Sequence, residues 1–368
     1  MSEWKTVRLG DILLIQKKSK IKASDGIENG IYPFFTCSND IVRTYNSAQY
    51  KGPALIFGTG GKASVHFCDT EFSTSTDCLT YYPVSSEINL DLVNQYIQSN
   101  IYLLENGFKG AGLKHVSRDY IANIEINLPD IKTQNCIVQK LNKAKNIISN
   151  SKKLLTKYDT LIKSRFIEMF GDKPVESRKW KVEKLEDVCD LITDGTHKTP
   201  NYQQKGIRFI SAKNIINGKI DLTDTKFITE EEYKQIQKRC RVEKNDVLLT
   251  KSGSLGSSAI IDFDIPIGLF ESLAVIKYKR NLLNGIFVKE LLSAESSQKQ
   301  FNNGVKGIAI KHLHLNVIAA LKIPIPPIEL QNNFAAFVQQ IDKSKFAVQK
   351  SLEKTETLYK SLMQRYFA

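Results

Sequence analysis

Four glycine-rich loops bearing lysine hold the residues best suited to chemistry in this chain, and that chemistry is contact with a polyanion. Gly58-Thr59-Gly60-Gly61-Lys62-Ala63-Ser64 and Thr250-Lys251-Ser252-Gly253-Ser254-Leu255-Gly256-Ser257-Ser258 each follow a short apolar run. Glycine lets a backbone approach a phosphate or a base edge, lysine supplies charge, and hydroxyls donate or accept. The candidate contacts are Gly60, Gly61, Lys62 and Ser64 in the first loop, and Lys251, Ser252 and Ser254 in the second. Lys109-Gly110-Ala111-Gly112-Leu113-Lys114-His115 and Lys306-Gly307-Ile308-Ala309-Ile310-Lys311-His312 form the other pair. Lys109, Lys114, Lys306 and Lys311 suit phosphate contact, whereas His115 and His312 suit the capping of a turn. Taken singly, each loop is also what an ordinary turn between strands looks like. A fifth run, Thr193-Asp194-Gly195-Thr196-His197-Lys198-Thr199-Pro200, gathers hydrogen-bonding side chains on a turn and occurs only in the second half of the chain.

Catalytic signatures fail one by one. The Gly61-Lys62 pair lacks the Walker frame, because Ile56 stands at the required glycine and Ala63 at the required Ser or Thr. Ile325-Pro326-Pro327-Ile328 lacks the amide and the aromatic with which an amino-methyltransferase grips a flipped base. Ser254 is outside a G-x-S-x-G elbow, and the histidines His66, His115, His197, His312 and His314 form no metal spacing. Six scattered cysteines contain no C-x-x-C pair and read as reduced thiols, most of them buried. No metal site and no bound cofactor are expected on this chain.

Composition narrows the partner. At 368 residues, 42% apolar and 25% charged, the chain has the makeup of a soluble globular protein of two or three domains. Without a run of eighteen apolar residues or an apolar leader it is expected in the cytoplasm, with no membrane partner. A net charge of +13 and a pI near 9.2 point to nucleic acid. Three readings stand at this point: a DNA-reading scaffold, a basic DNA-acting enzyme (nuclease or methylase) of unfamiliar site, and a coiled-coil adaptor.

The elements that must position these loops are duplicated. Trp4-Lys5, Leu9 and Asp11-Ile12 return as Trp180-Lys181, Leu185 and Asp187-Val188, at an offset of 176. Asn106-Gly107-Phe108-Lys109-Gly110 returns as Asn303-Gly304-Val305-Lys306-Gly307 at an offset of 197, which holds for Leu128-Pro129 onto Ile325-Pro326 and Gln134-Asn135 onto Gln331-Asn332. The second copy therefore carries 21 more residues, near 206–238. Each copy opens with short β-rich runs (54–57, 64–68 and 79–82; then 246–250, 258–263 and 273–278), followed by a helix over 90–104 or 287–300. Residues 208–210 read as a strand and 230–238 as a short helix.

Each copy then ends in one long helix, over 128–171 and 325–368. Ile137, Leu141, Ala144, Ile148, Ser151, Leu155, Tyr158, Ile162 and Met169 fall on one stripe, as do Val338, Ile341, Val348, Leu352, Thr355, Tyr359, Leu362 and Tyr366. Such stripes need a partner helix, and the two partner each other if they run antiparallel. The expected fold is α/β (α+β): mixed α/β recognition domains at 1–127 and 172–324, held by an antiparallel coiled coil of 128–171 and 325–368, with a pseudo-twofold repeat. About 40 residues at about 1.5 Å each give a strut of roughly 60 Å. From 131 to 170 it carries nine Lys or Arg against two acids, a face suited to DNA or to a protein partner.

Residues identical in both copies cannot make two heads read different sequences. Specificity is therefore expected where the copies differ: Tyr32 and Thr36 with residues 73–77 in the first, and Thr193, Asp194, Thr196, His197, Lys198 and Thr199 with Lys213 and Asn214 in the second.

The chain resembles the specificity subunit of type I restriction-modification systems. The resemblance spans nearly the whole length. It rests on Trp4-Lys5 with Leu9-Gly10-Asp11-Ile12, Tyr32-Pro33-Phe34-Phe35-Thr36, Asp194-Gly195-Thr196-His197-Lys198-Thr199-Pro200, Phe209-Ile210-Ser211-Ala212-Lys213-Asn214-Ile215, Lys163-Ser164-Arg165-Phe166-Ile167-Glu168-Met169-Phe170-Gly171, and Ile323-Pro324-Ile325-Pro326-Pro327 with Leu330-Gln331. The resemblance implies two target-recognition domains on a coiled coil, reading a bipartite asymmetric site in double-stranded DNA. It implies a non-catalytic subunit whose two methylation subunits bring S-adenosylmethionine and whose restriction subunits use ATP and Mg²⁺. The first domain departs from the pattern in lacking the D-G-T-H run.

A strut that acts as a ruler has a measurable consequence. Inserting one helical turn into each long helix is expected to lengthen the tolerated spacer while both half-sites stay the same, read from the methylated motif; altered half-sites would remove the ruler.

Overall fold

A computed structural model describes residues 4–40, 43–171, 180–304 and 312–367. The chain forms two units, residues 1–152 with 350–368 and residues 153–349, so each unit holds one head and parts of both long helices.

In the first unit Lys5–Arg8 pairs antiparallel with Glu125–Leu128, closing the head at its base. An antiparallel sheet runs in the order Leu13–Ile15, Cys78–Pro83, Ala54–Gly58, Ser64–Cys68. A second sheet, in the order Arg43–Tyr45, Tyr32–Phe35, Glu71–Thr74, Tyr50–Lys51, contains one parallel pair, Tyr32–Phe35 with Glu71–Thr74. The unbroken apolar run Ala54–Gly58 is buried at every position, as a strand covered on both faces must be.

The second unit repeats this topology except for the edge strand Tyr50–Lys51, which has no counterpart among its described residues. Lys181–Lys184 pairs with Lys322–Ile325 at the base. The antiparallel sheet has the order Cys189–Asp194, Leu273–Tyr278, Val247–Thr250, Ser258–Ile260. In the other sheet, Lys226–Ile228, Ile207–Ile210, Ile267–Leu269, the parallel pair is Ile207–Ile210 with Ile267–Leu269. The added residues form a hairpin, Ile215–Ile216 with Lys219–Ile220, turning on Asn217 and Gly218 at φ of 51° and 71°. They also form the helix Glu230–Arg239, whose Thr229 side chain accepts from the Glu232 N–H. Three acids in its first turn and Lys238 with Arg239 in its last match the helix dipole.

The long helices are Ile131–Phe170 and Ile328–Phe367, 40 residues each. They begin three residues later than the sequence suggests because Leu128 and Ile325 are spent on base strands, opposite Lys5 and Lys181. In the first unit Ile137 and Leu141 share a core with Phe367, while Lys152 Nζ lies 2.8 Å from Glu356. As one helix advances the other retreats, so the pair is antiparallel. In the second unit Ile162, Phe166 and Phe170 pack with Phe334 and Val338, and Lys345 pairs with Asp159. Phe166, Phe170, Phe287 and Phe334 form one cluster, with ring centroids 4.8 to 5.7 Å apart.

Two helices read as continuous are broken. Residues 90–104 divide into Leu90–Ser99 and Tyr102–Glu105, because Asn100 leaves the helical region and turns its amide onto the Tyr96 and Phe367 carbonyls. Residues 287–300 lie in Gly285–Ser293 and Glu295–Gly304, divided at extended Ala294, where the Gln298 amide donates to the Leu292 carbonyl at 2.7 Å.

A buried glutamine joins helix to head in both units. Gln134 accepts the Asn89 N–H at 2.8 Å and donates to the Pro129 and Glu87 carbonyls at 2.9 and 3.1 Å. Gln331 accepts from Asn284 at 2.9 Å and donates to Pro326 and Leu282 at 2.8 and 3.0 Å. Beside them Asn89 donates to Asn135, and Asn284 to Asn332. Replacing Gln331 by Leu strands one amide and two carbonyls, so unfolding free energy is expected to fall by about 2–4 kcal/mol in urea titration. Unchanged stability would show that the joint contributes nothing.

Candidate nucleic-acid interface

The first head brings two of the predicted loops together. The Gly61 N–H donates to the Lys114 carbonyl at 3.0 Å, Val116 donates to Thr59 at 3.0 Å, and Lys109 and His115 exchange backbone hydrogen bonds. Lys62, Lys109 and Lys114 are exposed on this joined surface, and Gly61 holds φ +79° with open space around it. Gly60 is buried against His115, whose Nδ1 lies 3.2 Å from the Thr59 carbonyl, the turn-holding role expected of that histidine. Cys37 lies beneath, donating to the Asp77 carbonyl at 3.0 Å and accepting the Gly60 N–H at 3.4 Å. The Cys37 thiol pKa is held below the ordinary thiol range by the neighbouring Cys78 thiol first and by the Gly60 and Thr59 amides, against the opposing effect of burial. Tyr32 and Thr36 are half-buried, on the strand Tyr32–Phe35 and just beyond it. Ser64 is buried, its hydroxyl donating to the Cys37 carbonyl, so it shapes the loop and does not face outward.

The second head is organised by a buried charge. Asp194 accepts from Lys251 and from Arg239, and His197 Nε2 lies 3.4 Å away. Lys251 also has Glu271 at 3.8 Å, and His312 lies 3.7 Å from the same carboxylate. Burial alone raises the Asp194 carboxyl; the Lys251 hydrogen bond and the Lys251, Arg239 and His197 charges outweigh it, leaving the group below the usual aspartate range. Gly195 is dictated by sterics, since a Cβ there would lie 2.1 Å from the Leu269 carbonyl oxygen. Thr196 then joins the neighbouring backbone, its N–H on Leu269 and its carbonyl accepting from Glu271. The turn leaves His197, Lys198 and Thr199 exposed.

Several expected contacts are corrected by this geometry. Lys251, expected to supply charge to a polyanion, is 2% exposed and spent on Asp194. Asp194 and Thr193 are buried, and Asn214 uses its amide on Ser211, Asp221 and Asp224 of its own loop. These residues hold the surface and do not form it. Lys213 is exposed and paired with Asp224 at 3.1 Å, and Ser252 and Ser254 are half-buried and exposed. Lys306 and Lys311 lie outside the described residues. Sequence reasoning missed Arg239, 45 residues from Asp194, for which no local pattern gives a signal. Among the described residues no group of three or more potential ligands could hold a metal, and no helix is long and apolar enough to cross a membrane.

Two heads of one topology, each presenting polar loops around glycine turns and each based on a long helix pair, define a duplicated α/β protein. The profile of the type I restriction modification DNA specificity domain matches residues 1–157 and 177–356, and the chain belongs to that family. It is 22% identical over 401 residues to the type I restriction enzyme MjaVIII specificity subunit of Methanocaldococcus jannaschii, covering 98% of this chain and 91% of that protein. It is 25% identical over 286 residues to the EcoBI specificity subunit of Escherichia coli, covering 69% and 60%. Among solved structures it is similar to the type I restriction-modification S subunit from M. genitalium, with a TM-score of 0.72, 14% identity and coverage of 100% and 96%. A chain from a type I R-M system solved to address complex assembly and conformational transition gives 0.55, with 16% identity and coverage of 99% and 97%.

The charge cluster generates a pH-dependent expectation. At pH 7 Asp194→Asn leaves Lys251 without its buried counter-ion and is expected to cost about 3 kcal/mol. Because the folded-state pKa of Asp194 is depressed, its contribution is present above the unfolded value and lost as pH falls through the folded one. Urea unfolding is therefore expected to show the gap between wild type and variant closing below the ordinary aspartate range. A gap of constant size would refute the assignment.

Proposed function

We propose that this specificity subunit reads a bipartite, asymmetric site in double-stranded DNA, one half with each head, and positions two methylation subunits for adenine modification and restriction subunits for cleavage. The observation that carries this reading is a shared topology with unlike loops. The four-stranded antiparallel sheets and the parallel pairs repeat, while the joined loops of the first head and the Asp194 turn of the second differ in chemistry at corresponding ends of the fold. Equal heads would read equal halves; unlike heads read an asymmetric site. Residues 1–127 and 172–324 serve as the recognition domains, with 128–171 and 325–368 as the helical strut.

Lys62, Lys109 and Lys114 in the first head, and His197, Lys198 and Thr199 in the second, are the exposed residues proposed to reach DNA. Lysines supply charge to phosphates, and the shorter polar groups suit base edges. The chain is proposed to be non-catalytic, with S-adenosylmethionine, ATP and Mg²⁺ belonging to its partners.

Mapping N6-methyladenine across the source genome, with this gene intact and deleted, tests the reading. Deletion is expected to abolish one split motif, two short half-sites around a fixed spacer. Unchanged methylation alongside an active methylation partner would return the enzyme or adaptor readings.

A further inference from the structure

The helix Glu230–Arg239 is the largest element of the second head without a counterpart among the described residues of the first. It also lies against the turn from Asp194 to His197, whose D-G-T-H run is absent from the first head. Tyr233 and Ile236 anchor it to Phe209, Ile228 and Phe270, which fixes the direction of its other side. Glu232, Gln235 and Arg239, spaced i, i+3 and i+7, lie along one side of the helix. With Thr196, His197 and Lys198 they line an open pocket of about 330 Å³.

Within that pocket Arg239 is held but not needed. Its guanidinium donates to Asp194 Oδ1 and has His197 Nε2 at 3.3 Å. Asp194 Oδ2 is already neutralised by Lys251, and both side chains of that pair are 3% exposed. The Arg239 side chain is 55% exposed. Withdrawing it removes one of the charges on the carboxylate but leaves Asp194 paired with Lys251, so the buried charge keeps a counter-ion. Glu232 also lines the pocket; its Oε1 accepts the Asn201 N–H at 2.9 Å and steadies the far end of the turn, while its Oε2 is buried without a partner among the described residues.

We infer that Arg239 is a specificity-determining residue of the second head, leaving Asp194 to donate two parallel N–H groups to the O6 and N7 of a guanine in the major groove. A planar fork of donors matches that pair of acceptors and no other base edge as well. Lys251 stays on Asp194 when Arg239 leaves, so the turn keeps its shape while the guanidinium changes partner. The inference rests on the DNA-reading function proposed above and adds the base that this site takes. Because the helix belongs to one head, the effect is confined to one half-site.

The test uses the chain co-expressed with its methylation subunits, comparing N6-methyladenine maps for wild type, Arg239→Ala and Arg239→Lys. One half-site of the wild-type motif is expected to hold a guanine at which the alanine variant becomes degenerate. Discrimination there should fall about ten-fold to a hundred-fold, with the other half-site and the spacer unchanged. The lysine variant restores only part of it, having no fork. An unchanged motif, or an equal loss at both half-sites, overturns the inference.

Should the alanine variant not assemble, the wild-type complex decides the matter. Oligonucleotides carrying 7-deazaguanine at each guanine of that half-site in turn remove the N7 acceptor without altering pairing. About ten-fold weaker binding at one position is expected, and equal binding at all of them overturns the inference. A wild-type map with no split motif would remove the inference together with the function it rests on, a failure distinct from either result for Arg239.

Discussion

A side-chain amide buried at the foot of each head is the constraint on which the rest of the structure depends. A 40-residue helix with a narrow apolar stripe is marginal alone and must be held by what it packs against. Gln134 and Gln331 hold each helix by its first turn, joining the strand that leaves the head, the loop that enters the head's own helix (Leu90–Ser99 or Gly285–Ser293) and the long helix itself. Such groups are costly to bury unless satisfied, and here oxygen and nitrogen both are. The joint sets each head on its helix pair, so the polar loops are carried by a defined base.

The same economy appears at the opposite end of the second head. Asp194 and Lys251 look, as residue types, like surface chemistry, yet they are the inside of the turn. Two charges placed in a poorly solvated site are tolerated because each neutralises the other, and breaking the pair is more damaging than never having formed it. The first head reaches a comparable loop arrangement with backbone hydrogen bonds, Gly60 packed on His115, and the Cys37 thiol. One topology thus supports two unlike surfaces, since the sheets beneath are indifferent to what the loops carry.

Much of this was legible in the residues. The duplication, the strand runs, the 21 added residues and both helix stripes follow from periodicity and self-similarity, which report local geometry and burial directly. The aromatic cluster of Phe166, Phe170 and Phe334 stands off the apolar stripe because near a head the helix is covered by the globule as well as by its partner, and the buried face widens. The breaks at Asn100 and Ala294 were hidden for a related reason: side-chain amides reaching back to carbonyls impose them, and no glycine or proline marks the spot.

The sequence by itself determined which segments are heads, which are struts, and which loops hold polar groups around glycines, because those properties are written in neighbouring residues. Only the tertiary structure decided which of those groups face solvent. Lys62 and Lys251 sit in corresponding lysine loops, yet one is exposed and the other is sealed on an aspartate 57 residues away. Arg239 entered the site by the same long-range route. Burial and ion pairing are set by what the fold brings from a distance, and residue type and local spacing carry no record of it.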